Sequence, residues 1–316
     1  MGRISLQIDL RPLPLHACDL FWGKRRGRVS SLEKLKLLAV TGGIPRYLEE
    51  IQTERPAEAN IRRLCFRKEG FLFAEFPQVF SETLASRSPV YERILRALAG
   101  GDKTLSEVAT AIGVARSGVL SHSLHDLEVS GFVRKYAVYA IGRSTPSRLH
   151  KYRIADNYSR FYLRYVDPLK DAIQQGLYAT ASLDQILRWD VILGLQFENL
   201  VIANLPALLR CLGIESSSVR SAAPYFQRRT NRHEACQIDL LIQAKHTLYV
   251  CDVRCRSRID QGIIEEVSRK IQALRVPRGI SVRPALVYEG ELDPGIQAEG
   301  YFDALVSFQD LLSARC

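Results

Sequence analysis

Two aspartates and an arginine within residues 236–256 are the first side chains in this sequence whose types and spacing suggest chemistry. The segment holds two apolar runs, 238–242 and 248–253, around a polar middle at 243–247, a pattern that predicts a β-hairpin. Each run contains one acid, Asp239 on the first and Asp252 on the second. Strand interiors avoid aspartate, because a desolvated carboxylate is costly unless it is paired or holds a cation. Two such acids on neighbouring strands could converge on a hard divalent ion. Arg254 follows Asp252 by two positions and therefore shares its face of the strand. Two acids and a basic group on paired strands are the skeleton of a metal-dependent nuclease site. The plainer alternative is an ion pair of Arg254 with Asp252 or Glu198 at the sheet edge.

The surrounding elements must position these groups. Residues 189–208 read as a long helix with Glu198 inside it, followed by a strand at 219–227 and a basic turn containing Arg228, Arg229 and Arg232. After the hairpin come a helix at 263–274, strands at 285–288 and 302–307, and a last helix at 308–314. Lys245, in the expected hairpin turn, and Lys270, on the following helix, are further basic groups within reach of the hairpin.

The bulk composition narrows the partner. A 316-residue chain has room for two or three domains. Its formal charge of +10 favours a polyanion, DNA or RNA, over a merely solvated basic surface or an acidic protein partner. No apolar run approaches the ~20 residues that span a bilayer, and residues 1–4 start no secretory core, so a cytoplasmic protein without a membrane partner is expected. The seven cysteines include no second pair at zinc-ligand spacing beside Cys251 and Cys255, and are expected to be free thiols.

The middle of the chain offers a nucleic-acid reader. Thr104 and Glu107 form a capping box, and helices are expected near 90–98, 105–112 and 115–129. Strands at 132–141 and 150–154 follow, around a loop at 142–147. Three helices and then two strands is the order of a winged helix-turn-helix. Its third helix would present Arg116, Ser117, Ser121, His122 and His125, and its wing Arg143, Arg148 and Lys151, to phosphates and base edges. A winged helix used for protein contacts is the alternative. Residues 156–165 read as an aromatic amphipathic helix whose Phe161 and Tyr165 belong to a core. A helical connector follows at 169–187.

The N-terminal part reads as a strand at 3–10, ended by Arg11-Pro12-Leu13-Pro14, then short helices at 32–40, 46–52 and 56–74. The segment Gly42-Gly43-Ile44-Pro45-Arg46-Tyr47-Leu48-Glu49, together with Arg11-Pro12-Leu13 and the later Asp156-x-x-x-Arg160-Phe161-x-x-Arg164, resembles archaeal-type AAA ATPases. Those proteins join a P-loop domain to a helical lid, a winged helix and a C-terminal domain of nuclease ancestry. The resemblance begins only after the ATP-binding core. The chain has no Gly-x-x-x-x-Gly-Lys-Ser/Thr loop, so no ATP binding is expected, and the chain would be a truncated relative or part of a split gene.

The resemblance implies an α/β multidomain chain. It would comprise a lid remnant at 1–85, a winged helix-turn-helix at 86–157, a helical connector at 158–187 and a restriction-endonuclease-like, PD-(D/E)XK domain with a mixed sheet at 188–316. It also implies that Glu198, Asp239 and Asp252 are the carboxylates that hold Mg²⁺ or Mn²⁺, with Arg254 where the family has lysine. An arginine can steady phosphorane charge but stays protonated and cannot act as a base. The leading expectation is therefore a DNA-binding protein whose nuclease-like domain is weakened or inactive. An active Mg²⁺-dependent endonuclease is one alternative. An assembly or regulatory partner of a separate P-loop ATPase subunit is another, and would explain how the apolar surface of residues 1–60 is covered. A homo-oligomer is equally open.

Overall fold

The computed structural model describes residues 12–84, 88–137, 141, 149–227, 229 and 234–313. The strand expected at 3–10, the wing arginines Arg143 and Arg148, and the turn residues Arg228 and Arg232 lie outside them. Among the described residues eight strands form two sheets. The smaller is antiparallel, in the order β1-β3-β2, from β1 (Lys103–Thr104), β2 (Val133–Ala137) and β3 (His150–Ile154). The larger contains β4 (Val219–Gln227), β5 (Cys236–Ala244), β6 (Thr247–Ile259), β7 (Ser281–Leu292) and β8 (Ala304–Ser307), in that order. Its β4, β5 and β6 are antiparallel, whereas β6, β7 and β8 run parallel, so the fold is mixed α/β.

The β1-β3-β2 sheet is accompanied by helices Ser88–Ala99, Leu105–Ala111 and Gly118–Val129. The expected capping box is present: the Thr104 side chain accepts from the Glu107 amide, and the Glu107 carboxylate accepts from the Thr104 amide. The third helix starts at Gly118 rather than near 115, because Ser117 caps it by accepting from Leu120 N. The expected long helix at 189–208 breaks at Asn204 into Trp189–Ala203 and Leu205–Cys211, bent by 83°. Pro206 sits in the first turn of the second piece, and the Asn204 side chain bridges Leu200 O and the Leu15 amide. No single helix among the described residues is long and apolar enough to cross a membrane.

The N-terminal helices are not left uncovered. Helix Ser31–Thr41 buries Leu35, Leu37, Leu38, Ala39 and Val40 against the larger sheet and helix Trp189–Ala203. Polar groups fix this contact. Gln196 Nε2 donates to Ala39 O at 2.7 Å and Asn157 O at 2.8 Å, and Asn199 Nδ2 donates to Asn157 Oδ1 at 2.9 Å. The Gly42-Gly43 pair has a steric reason. A Cβ on Gly43 would stand 2.3 Å from Leu13 O, so only glycine lets the strand-like Leu13-Pro14 segment lie there. One cluster of buried apolar side chains runs from Leu15 to Leu312 and draws on all four of the expected segments. Cys18, Cys65, Cys236, Cys251 and Cys255 are free thiols, whereas Cys211 departs from expectation and is disulfide-bonded.

Candidate functional site in a fork of the sheet

The predicted hairpin turns at residues 245–246, with Lys245 in the turn, and its ladder runs from Ala244↔Thr247 to Leu240↔Cys251. Beyond that pair the two strands part. β5 stays with β4 as far as Gln227↔Cys236, while β6 stays with β7 as far as Ile259↔Leu292. The sheet therefore forks in its interior. A cleft of about 480 Å³ occupies the fork, lined by Gln237 and Asp239 from β5 and by Val253, Arg254, Cys255 and Arg256 from β6. Gly194 and Glu198 of helix Trp189–Ala203 and Lys270 of helix Gly262–Ala273 complete its wall. A larger cavity of about 760 Å³, near Leu13, Gly42 and Gly43, contains none of the expected catalytic residues.

Asp239 sits at the branch point. Its Oδ2 accepts from Val253 N at 2.8 Å, so a side chain replaces the ladder carbonyl just where the ladder stops. Burial, then the nearby charge of Asp252, push its pKa up, against the pull of Lys270. Asp252 is 1% exposed and does not reach the cleft wall. Arg254 Nε donates to its Oδ2, Arg254 Nη2 donates to its Oδ1 at 3.2 Å, and Lys270 Nζ donates to the same Oδ1. Arg254 Nη2 also meets Glu266 Oε2 at 3.1 Å, and Arg256 Nη2 lies 4.0 Å from Glu266 Oε1.

Glu198 enters from the other side of the sheet. The alternation of β6 puts Cys251 and Val253 in the cluster shared with helix Trp189–Ala203, and Leu248 and Val250 in a separate cluster. Asp252 belongs by that alternation with the second set, where Lys270 meets it. Burial, then the charge of Asp239, raise the pKa of Glu198 to about 7, opposed by Arg153. Arg153 Nη2 donates to Glu198 Oε2 at 3.3 Å, and Arg153 Nε donates to Asp102 Oδ1 at 2.9 Å. Tyr136 OH donates to Asp102, and Arg160 Nη2 lies 3.9 Å from it. Burial, then the like charge of Arg153, lower the Arg160 pKa to about 10. This junction ties β2 and β3 to Glu198.

The structure thus brings Glu198, Asp239 and Arg254 to one cleft and sets Asp252 behind it. The carboxylates meet in pairs, Glu198 with Asp239 and Asp239 with Asp252. Among the described residues no three His, Cys, Asp or Glu side chains are grouped so as to hold a metal ion. The donor set as arranged does not fit Mg²⁺ or Mn²⁺, because both oxygens of Asp252 are taken by cationic side chains.

The expected nucleic-acid contacts lie elsewhere. On helix Gly118–Val129, Ser121 and His122 are exposed, and Arg116 and Ser117 are exposed just before it. Ser117 is already used as the helix cap, Ser121 Oγ donates to Ser117 O, and His122 Nδ1 lies 3.0 Å from Asp126. Lys151 lies over the Phe226 ring at 3.7 Å, bridging β3 to β4. Arg229 is exposed beside Glu234. Sequence reasoning missed Asp102, Arg153, Glu266 and Arg256. The signals were the i+2 spacing of Arg254 and Arg256 and the i+4 spacing of Glu266 and Lys270.

No family model matches the chain. It is similar to an uncharacterized protein of Methanocaldococcus jannaschii, 27% identical over 177 residues, which is 56% of this chain. The matched part spans only 38% of that protein's own length. A Vibrio cholerae protein of known crystal structure aligns with 75% of this chain and 52% of its own, at 14% identity and a TM-score of 0.31, a likeness too slight to bear on the fold.

Proposed function

We propose that this chain is a nucleic-acid-binding protein built on a winged helix and a restriction-endonuclease-like domain, with a nuclease-like site that is weakened or inactive. The order helix, β1, helix, helix, β2, β3 supports the winged-helix reading. The order helix Trp189–Ala203, β4, β5, β6, helix Gly262–Ala273, β7 supports the nuclease-like reading, in which Glu198 is on the first helix, Asp239 on β5 and Asp252 on β6. The observation that carries the weakened site is the saturation of Asp252 by Arg254 and Lys270. A formal charge of +10 supports a polyanionic partner such as DNA or RNA.

The test is paired. Fluorescence anisotropy with labelled duplex and single-stranded DNA should give binding that falls steeply with salt. Plasmid and linear DNA incubated with Mg²⁺ or Mn²⁺ should stay intact. Cleavage that disappears in both Asp239→Ala and Asp252→Ala would replace this reading with the active endonuclease. One observation favours that second reading: Glu198, Asp239 and Lys270 share one cleft wall. Relationship to the AAA ATPases and pairing with a P-loop subunit remain proposals, tested by co-purification.

A further inference from the structure

Helix Gly262–Ala273 presents Glu266 and Lys270, four residues apart, on one side. The strand opposite presents Asp252, Arg254 and Arg256 at alternate positions. The two patterns interlock as a row of alternating sign: Lys270, Asp252, Arg254, Glu266, Arg256. The row ends at a local irregularity, which affects Arg256 alone. The β6–β7 register shifts between Cys255 and Arg258, and Gly290 lies opposite at φ 126°, where a Cβ would stand 1.7 Å from Arg256 O. Bulges of this kind redirect side chains. At the buried end of the row, Asp252 has no oxygen free and no surface on the cleft.

We propose that Lys270 and Arg254 stand in for a divalent ion on Asp252, so that the protein itself balances the charge of the fork and a hard cation site is latent beneath the two side chains. This rests on the nuclease-like reading of the fork. An incoming divalent ion would have to displace an ammonium and a guanidinium while both stayed close by. Mg²⁺ and Mn²⁺ also need several oxygen ligands, and Asp239 already spends one oxygen on Val253 N. Removing the two cations leaves Asp252 beside Asp239, two carboxylates with free lone pairs.

The experiment uses the full chain and Mn²⁺ alone, by isothermal titration calorimetry. The Lys270→Ala/Arg254→Ala variant should bind Mn²⁺ at least about tenfold more tightly than the unaltered protein, one decade of affinity. Adding Asp252→Asn to that variant should abolish the gain. Lys270→Ala alone, which keeps Arg254 on Asp252, gives a smaller gain and serves if circular dichroism shows the double variant unfolded. Mn²⁺ binding by the unaltered protein that Asp252→Asn removes overturns the proposal, as does a variant set with no gain. Oligonucleotide binding with and without chelator separates the two readings. Its absence sinks the nucleic-acid function and leaves the Mn²⁺ comparison standing, whereas binding abolished by chelator overturns the stand-in.

Discussion

Two ionic networks flank the fork, and they are built differently. The junction under Glu198 is closed: Asp102, Arg153 and Arg160 side chains are 4%, 6% and 3% exposed. It is also incompletely satisfied, since Arg153 Nη1 and Arg160 Nε and Nη2 are buried without hydrogen-bond partners. The row on β6 is half open, with Lys270 and Arg254 at 24% and 22%, and each carboxylate oxygen of Asp252 has a donor. Burial magnifies both the attraction and the penalty of a missing partner. The closed junction therefore holds the smaller sheet to helix Trp189–Ala203, whereas the half-open row should lose a single partner at a smaller cost.

Substitutions in each network should separate these roles. The largest loss is expected for Arg153→Met, which leaves Asp102 and Glu198 buried without their shared cation. About 3–5 kcal/mol of stability should go, read by urea denaturation, and a loss near that of Lys270→Ala would erase the contrast. The pH profile comes next. Glu198 holds its proton to about 7 in the fold, against an ordinary value of 4.5 in the unfolded chain. Between these values the folded state binds the extra proton, so stability is greatest below the lower value and falls as pH rises through the upper one. The loss is on the order of 3 kcal/mol, and Glu198→Gln should flatten it. Lys270→Ala should cost less, roughly 1–2 kcal/mol, because Arg254 keeps Asp252 paired. His122→Ala, at a 62% exposed side chain on helix Gly118–Val129, should change stability by less than about 0.5 kcal/mol.

Local signals in the sequence were the ones that located elements. Thr104 and Glu107 announced a helix start because a capping box involves only neighbours. The apolar runs at 238–242 and 248–253 announced the hairpin, and with it Asp239, Asp252 and Arg254. Long-range facts were not legible. The break at Asn204 answers to the Leu15 amide, 189 positions away. The pairing of Glu198 with Arg153 depends on how the smaller sheet meets helix Trp189–Ala203. That Lys270 rather than Lys245 reaches Asp252 was a matter of which element folds over which face. In each case the deciding contact joins segments whose sequence patterns contain no trace of one another.

The fork has a consequence for solubility. An ordinary open sheet has two edges, but one that splits internally has four, and among the described residues the inner pair, 236–239 of β5 and 252–256 of β6, has no strand partner on that side, with the Val253 amide held by Asp239 instead. Such edges invite a foreign strand to add itself. Charges pointing into the gap are a known deterrent to that kind of misassembly. Asp239, Arg254 and Arg256 stand in this gap. They would then guard the chain against self-association whatever chemistry the fork performs, and a variant made neutral at all three should aggregate before it unfolds.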